Sequence, residues 1–180
     1  MTAAPVPAPV IETERLRLRP HRLEDFPPLA AFYGSAAARF VGGPLPADRA
    51  WHVFASDVGA WDLVGSGAWG LEEKATGAFA GQLAANRAPH FPEPEIGWIL
   101  LPGFEGRGYA AEGARAVRAF AYGTLGWETA VSYVDPGNRR SVALARRLGC
   151  VEDPDARPLY PQEIVFRHPG PAALEAEAPR

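Results

Sequence analysis

Residues 103–110 read Gly103-Phe104-Glu105-Gly106-Arg107-Gly108-Tyr109-Ala110, and they stand between a strand-like run, Glu95 to Leu100, and the clearest helical stripe in the chain. That stripe, Tyr109 to Leu125, puts Ala110, Ala114, Val117, Phe120, Ala121 and Leu125 on one face, and Gly126 marks its end. A glycine-rich loop that opens a helix gathers backbone N–H groups at the positive end of the helix dipole, which suits an anionic phosphate. Gly106 and Gly108 would let the backbone approach such a group closely. Taken alone, these eight residues are equally compatible with a tight loop that merely joins strand to helix.

The surrounding chain narrows the choice. Gly106-x-Gly108-x-x-Ala111 fits a dinucleotide fingerprint, with Asp135 as a ribose-binding acid. The context does not fit: Leu101 to Glu105 separate the strand from the first glycine of the fingerprint, and three strands already precede it. Too little chain follows for a second dinucleotide half. The Lys-Ser/Thr ending of a nucleoside-triphosphate loop is also missing.

Further out, Arg15 to Arg19 alternates like a strand with one buried face. Leu23 to Tyr33 reads as a helix with Pro27 and Pro28 in its first turn. Pro46 to Trp61 reads as a second helix that lays Trp51, Phe54, Val58 and Trp61 on the core. Ala68 to Leu71 and Ala78 to Ala85 form a hairpin about a polar turn, and Thr129 to Val134 and Gln162 to Arg167 are further strands. Asn138 caps a helix that runs to Leu148, with Gly149 as its stop. Strand, two helices, three strands, helix, strand, helix, strand is the order of a mixed α/β domain rather than a regular βαβ chain.

The chain has 180 residues, 47% hydrophobic and 22% charged, which is enough for one buried core. A net charge of −3 argues against broad neutralisation of nucleic-acid phosphates. The charge is unevenly spread: Arg107 to Arg147 holds seven arginines against three carboxylates, a net +4, so the remainder carries −7. A basic segment suits a phosphorylated ligand, and an acidic remainder attracts a cation. Cys150, the single cysteine, can form neither an internal disulfide nor a cysteine metal site and reads as a small core residue; no metal site is expected. Residues 1–10 lack the charged start and apolar run of a signal peptide and are expected to be a flexible leader, with 168–180 a flexible tail. No stretch approaches the ~20 apolar residues of a membrane helix, so no membrane partner is expected, and the cytoplasm is the expected location.

Four elements in order resemble the GCN5-related N-acetyltransferases (GNAT), and within them the RimJ/RimL-like branch that acetylates ribosomal-protein N-termini. They are Ile11-Glu12-Thr13-Glu14-Arg15-Leu16 with Leu18-Arg19-Pro20; Glu95-Ile96-Gly97-Trp98; Gly106-Arg107-Gly108-Tyr109-Ala110 with Glu112; and Asn138-x-x-Ser141 leading to Leu148-Gly149. The resemblance covers residues 11–167. It implies a single domain with a mixed, mostly antiparallel sheet of about six to seven strands flanked by about four helices. In that family the loop's first position, here Glu105, is often Gln or Arg, and a tyrosine often stands at the position of Ala145.

By this resemblance Gly106, Arg107, Gly108, Tyr109 and Ala110 hold the pyrophosphate of acetyl-coenzyme A, and the backbone of Trp98, Ile99 and Leu100 pairs with its pantetheine arm. Asn138 contacts that arm as well as capping its helix. Direct attack by an amine needs a base, an oxyanion donor near Leu100, and a proton for the departing thiolate. Glu95 is the candidate base, its alternative being to order the start of its strand; His90 is a weaker one. Ser141 is the candidate proton donor, its alternative being to support the cap. Arg107, Arg139 and Arg140 add attraction for phosphates, while Arg146 and Arg147 read as a solvated face. Trp51, Trp61 and Trp69 are candidates for an acceptor groove or for plain core. The acceptor expected is a protein N-terminus or a small-molecule amine, and the family suggests a homodimer. From a different class, a non-catalytic coenzyme A binding or sensing module shares the same features.

Overall fold

The structure, a computed structural model, describes residues 8–177. Eight strands form one sheet: β1 (Ile11–Glu12), β2 (Leu16–Arg19), β3 (Ala68–Glu73), β4 (Phe79–Asn86), β5 (Glu95–Leu100), β6 (Val131–Val134), β7 (Val151–Glu152) and β8 (Ile164–Arg167), in the order β1-β2-β3-β4-β5-β6-β8-β7. Every neighbouring pair is antiparallel except β5 and β6. The helices are α1 (Phe26–Tyr33), α2 (Ala47–Val64), α3 (Tyr109–Gly123), α4 (Arg139–Arg147) and α5 (Pro171–Glu177). The α/β class and the mostly antiparallel sheet are as expected. The additions are the two-residue edge strands β1 and β7, and α5.

Pro27 and Pro28 sit in the first turn of α1, where a missing N–H costs no helical bond. Asn138 caps α4 by accepting the N–H of Ser141 at 3.2 Å. The aromatic stripe of α2 divides. Phe54 and Trp61 are buried, whereas Trp51 is 43% exposed and Val58 lies outside as well. Trp61 packs edge-on against Trp69 of β3 in the core, and none of the three tryptophans considered for an acceptor groove lines either of the two cavities described below. Cys150 is buried, and burial pushes its thiol up to about 12.

Strand register sorts the side chains onto two faces. Gln82, Ala84 and Asn86 of β4 oppose Ile99, Gly97 and Glu95 of β5 and look toward α1 and α2. Leu83 opposes Trp98 and Ala85 opposes Ile96 on the other face, which packs against α3. Gly113 of α3 sits so near β4 that a Cβ there would lie 3.2 Å from the Leu83 side chain.

Because β5 and β6 run parallel, α3 must cross over between them. The two strands meet at a single register pair, Glu95 with Val131, and then diverge. At the vertex the Ser132 hydroxyl donates to the Ile96 carbonyl at 2.6 Å. With its one proton so used, Ser132 must accept from His168 Nε2 at 2.9 Å, leaving Nδ1 to face Arg118 at 3.5 Å. Arg118 also donates to the Leu148 carbonyl at the end of α4. His168 is thus buried and bonded, Ala8 is buried, and the half-buried Pro9 accepts from the Trp69 indole through its carbonyl at 2.7 Å. The rest of the expected leader, residues 1–7, and residues 178–180 of the expected tail lie outside the described residues.

Candidate active site

The divergence of β5 from β6 leaves a wedge with one free strand edge. Ala85, opposite Ile96, gives its N–H to Gly67, and Ile96 offers its carbonyl to Ser132, so the peptide groups of Ile96 point toward β6. Strand alternation then turns those of Trp98 and Leu100 into the wedge, where no strand pairs with them. Of the three residues expected to offer backbone there, Ile99 differs: its peptide groups face Gln82 on β4.

On one side of that edge lies a cleft of about 910 Å³. Its floor is the glycine loop. Gly106 and Gly108 have φ of 74° and 81°, a region that side chains disfavour, and a Cβ on Gly106 would meet nothing within 4 Å. Gly108 is the N-cap of α3 and no side chain caps it, so the first-turn N–H groups of Tyr109, Ala110 and Ala111 lack partners within the helix. The loop is held from behind. Glu112 accepts from Thr13 Oγ1 at 2.6 Å and from the Arg15 backbone and side chain at 2.8 and 2.7 Å, and Arg15 Nη1 donates to the Arg107 carbonyl at 2.9 Å. The sequence motif at Thr13 and Arg15 therefore braces the loop.

Arg107 was expected to face phosphate, yet its side chain pairs with Glu73 at 3.0 Å, lies over the Phe104 ring and is absent from the cleft lining. Glu73, whose carboxyl is held low by Thr76, Tyr109 and Arg107, outcompetes the open cleft for that guanidinium. Four other arginines line the cleft: Arg39, Arg139, Arg140 and Arg147. Arg140 pairs with Glu105 at 3.0 Å and cancels the acid in the loop. Arg147, read from sequence as solvated, faces the cleft, whereas Arg146 pairs with Glu152 on the outside.

On the other face of the sheet lies a second cavity of about 470 Å³, between α2, β4, β5 and the segment before β8. It is acidic. Asp57, Glu95, Asp135 and Glu163 line it against one arginine, Arg87. Burial pushes Glu95 up to about 7, helped by the charges of Glu163 and Asp57 and opposed by the Asn86 amide, which donates at 2.7 Å. Burial pushes Asp57 up to about 6 against the Gln82 amide, which donates at 2.7 Å. Burial also raises Glu163 and keeps the Tyr33 phenol above its usual range beside Asp57 and Glu95. His90 is exposed at the rim.

The two cavities share Phe40, Val41, Trp98, Ile99, Asn138 and Ser141, so they meet at the free edge of β5. There the Trp98 indole donates to Ser141 Oγ at 3.1 Å, which leaves the hydroxyl proton of Ser141 free to be given elsewhere. The structure thus gathers Trp98, Ile99, Leu100, Gly106, Gly108, Tyr109, Ala110, Asn138 and Ser141 around one cleft and sets Glu95 in the adjoining cavity. Asp57, Gln82 and Tyr33 were missed. Asp57 sits three residues after buried Phe54 and four before buried Trp61, so a carboxylate inside an apolar stripe was the available signal. Among the described residues no cluster of His, Cys, Asp and Glu is arranged to hold a metal ion, and no helix is long and apolar enough to cross a membrane.

The family model described as an acetyltransferase (GNAT) domain matches residues 15–151. The crystal structure of an acetyltransferase from Agrobacterium tumefaciens str. C58 is 44% identical, with a TM-score of 0.87 over 90% of this chain and 95% of that one. RimL, a ribosomal L7/L12 alpha-N-protein acetyltransferase, shares the fold at 16% identity, with a TM-score of 0.69 over 89% of this chain and 92% of that one. The uncharacterized protein YkkB of Bacillus subtilis (strain 168) is 31% identical over 83 residues, 45% of this chain. The matched stretch spans about half of that curated relative, 48%.

Proposed function

Since the chain belongs to the GNAT acetyltransferase family and is an acyltransferase enzyme, we propose that it moves an acetyl group from acetyl-coenzyme A to a primary amine by direct attack in a ternary complex. The observation that carries this reading is the meeting of a basic, glycine-floored cleft and an acidic cavity at one unpaired strand edge. Residues 11–167 are read as the acetyltransferase domain, of the RimJ/RimL-like branch, because Thr13, Arg15 and Glu112 of its characteristic elements brace the loop together.

The bound coenzyme supplies an activated thioester acyl group. The cleft fits it: the space beside Gly106, the uncapped helix terminus and the arginines form a cradle for phosphates. The peptide groups of Trp98 and Leu100 pair with an extended arm laid in the wedge, and Asn138 and the Ile99 side chain border it. The Leu100 N–H lies where it can stabilise negative charge growing on the carbonyl oxygen under attack. Glu95 takes the proton from the amine, directly or through a water, because a carboxyl at about 7 is a competent base at neutral pH. Ser141 gives a proton to the departing sulfur. Arg107 contributes its backbone only.

Thiol release from acetyl-coenzyme A, measured against a panel of amines and peptide N-termini, tests the reading. Release above hydrolysis with at least one acceptor is expected. Coenzyme binding with no release from any acceptor would favour a sensing module, and stabilisation by NAD but not by coenzyme A would sink the coenzyme assignment. Within the cleft, Arg139→Ala and Arg147→Ala are each expected to raise KM for acetyl-coenzyme A by about threefold at low salt, and by less at high salt, as screened surface charges do. Arg146→Ala, on the outer face, should change KM little.

A further inference from the structure

The gap that opens as β5 and β6 diverge is crossed by an indole. The two strands pair at Glu95 with Val131, and Trp98 lies three residues beyond that pair on β5. Its peptide groups point into the wedge, while its side chain reaches the first turn of α4, where Nε1 donates to Ser141 Oγ at 3.1 Å. Both residues are half-buried, and Trp98 rests against the main core. The ion pair of Arg140 with Glu105 also joins α4 to the glycine loop, but with side chains 82% and 44% exposed it contributes little.

An indole N–H can only donate, so Ser141 Oγ is the acceptor in this bond and keeps its own proton. A serine in a helix can give that proton to a carbonyl three or four residues back. In α4 those carbonyls belong to Asn138 and Gly137, and they accept instead from the N–H groups of Val142 and Arg139. The cap does not use the hydroxyl either, because Asn138 Oδ1 accepts the Ser141 backbone N–H. Among the described residues no acceptor takes the Ser141 proton, and its Oγ stands where the two cavities meet. Filling the wall of the wedge needs only an aromatic ring; the indole N–H is the part that packing does not account for.

We infer that the Trp98 side chain is a positioning residue for acetyl transfer: by donating to Ser141 Oγ it turns the serine proton away from its own helix and toward the departing sulfur. The inference rests on the acetyltransferase reading for the role of Ser141. In the step, the amine nitrogen bonds to the acetyl carbon and the carbon–sulfur bond breaks, its electron pair passing to sulfur. The Ser141 proton goes to that sulfur while Ser141 takes another from water, and the proton lost by the amine goes to Glu95 and then to solvent. An alkyl thiol ionises well above neutrality, at about 8.5 for a cysteine, so a proton aimed at the sulfur eases its departure. Trp98 thereby ties two parts of the chemistry together, since its backbone borders the arm and its indole aims the donor.

A double-mutant cycle on the full chain tests this, with acetyl-coenzyme A and the amine that releases most thiol. Trp98→Phe keeps a ring and removes the donor; it is expected to lower kcat by about tenfold, part of what a positioned proton donor supplies. KM for acetyl-coenzyme A should stay within about twofold, because the backbone beside the arm is unchanged. Ser141→Ala removes the proton itself and should cost more. In the Ser141→Ala background Trp98→Phe should cost nothing further, since no proton remains to be aimed. Melting curves check folding, and β-(3-benzothienyl)alanine at position 98, which keeps the bicyclic shape without the N–H, repeats the comparison where phenylalanine packs too loosely. A wild-type kcat without the indole N–H while Ser141→Ala is slow, or a loss that persists in full beside Ser141→Ala, overturns the positioning role and leaves the transferase reading standing. Ser141→Ala at the wild-type rate would refute the serine as donor, and thiol release from no acceptor would refute the transferase reading; either takes the inference with it.

Discussion

Glu95→Gln is expected to lower kcat by about a hundredfold or more, the usual contribution of a positioned general base. The substitution preserves shape, since a glutamine oxygen can still accept from Asn86, so the loss reports proton transfer rather than packing. The wild-type rate should climb with pH up to about 7, where the carboxyl ionises, and then level; the residual rate of the variant should lose that acid limb. A pH profile identical to the wild type's would return Glu95 to a structural role at the start of β5. Stability moves the opposite way. The folded carboxyl is held near 7 against an unfolded value near 4.5, so below ~4.5 both states hold the proton and the group costs nothing. As pH rises from there through 7 the folded state is forced to ionise in a poorly solvated cavity, and stability falls. Glu95→Gln should therefore stabilise the fold above pH 7 by an amount on the order of 1–2 kcal/mol, after allowing for the water that reaches the cavity, and so raise Tm there, while leaving Tm unchanged near pH 4. A variant at once slower and more stable is hard to explain by a merely structural glutamate.

Gly108→Val should weaken coenzyme A binding by about a hundredfold. Gly108 has φ of 81°, which a β-branched residue tolerates badly, and a Cβ there would lie 3.3 Å from Arg15 Nη2. Arg15 is the brace that holds the Arg107 carbonyl, so the valine strains the loop and pushes away its support. The N–H groups at the start of α3 then no longer converge on one point. Titration of coenzyme A into wild type and variant reads the effect, with melting curves to confirm that the variant folds. Unchanged affinity would remove this loop from the phosphate site.

The cleft proposed for the coenzyme was legible because it is made largely of backbone, and backbone needs leave signatures. Gly106 and Gly108 are glycines for their φ, Asn138 is an asparagine for its cap, and Pro102-Gly103 stops the strand that runs from Glu95 to Leu100. The acidic cavity is lined by side chains from elements far apart in sequence. Asp57 and Gln82 form one pair only after α2 packs on β4, and no spacing announces that contact. The side chain of Arg107 went astray for a related reason: Glu73, thirty-four residues earlier, competes for it, and a loop motif does not display its long-range rivals. The strands β1 and β7 are two residues long, too short for any periodicity, and exist by pairing with β2 and β8. Trp51 shows the limit of helical spacing. A stripe tells which side chains share a side of the helix, but Trp51, packed against Phe26 and Phe54, still keeps a large part of its surface in solvent.

The bond from Ser132 to Ile96 sits where β5 and β6 part company, and it is supported by the side chain of His168. Burial, aided by the Arg118 charge, drives His168 down to about 3, so the ring stays uncharged across the whole range in which Glu95 and Asp57 titrate. The fulcrum of the wedge therefore keeps its protonation state while the carboxyls of the acidic cavity beside it titrate, so acidity bears on those carboxyls and not on the angle at which the two strands part.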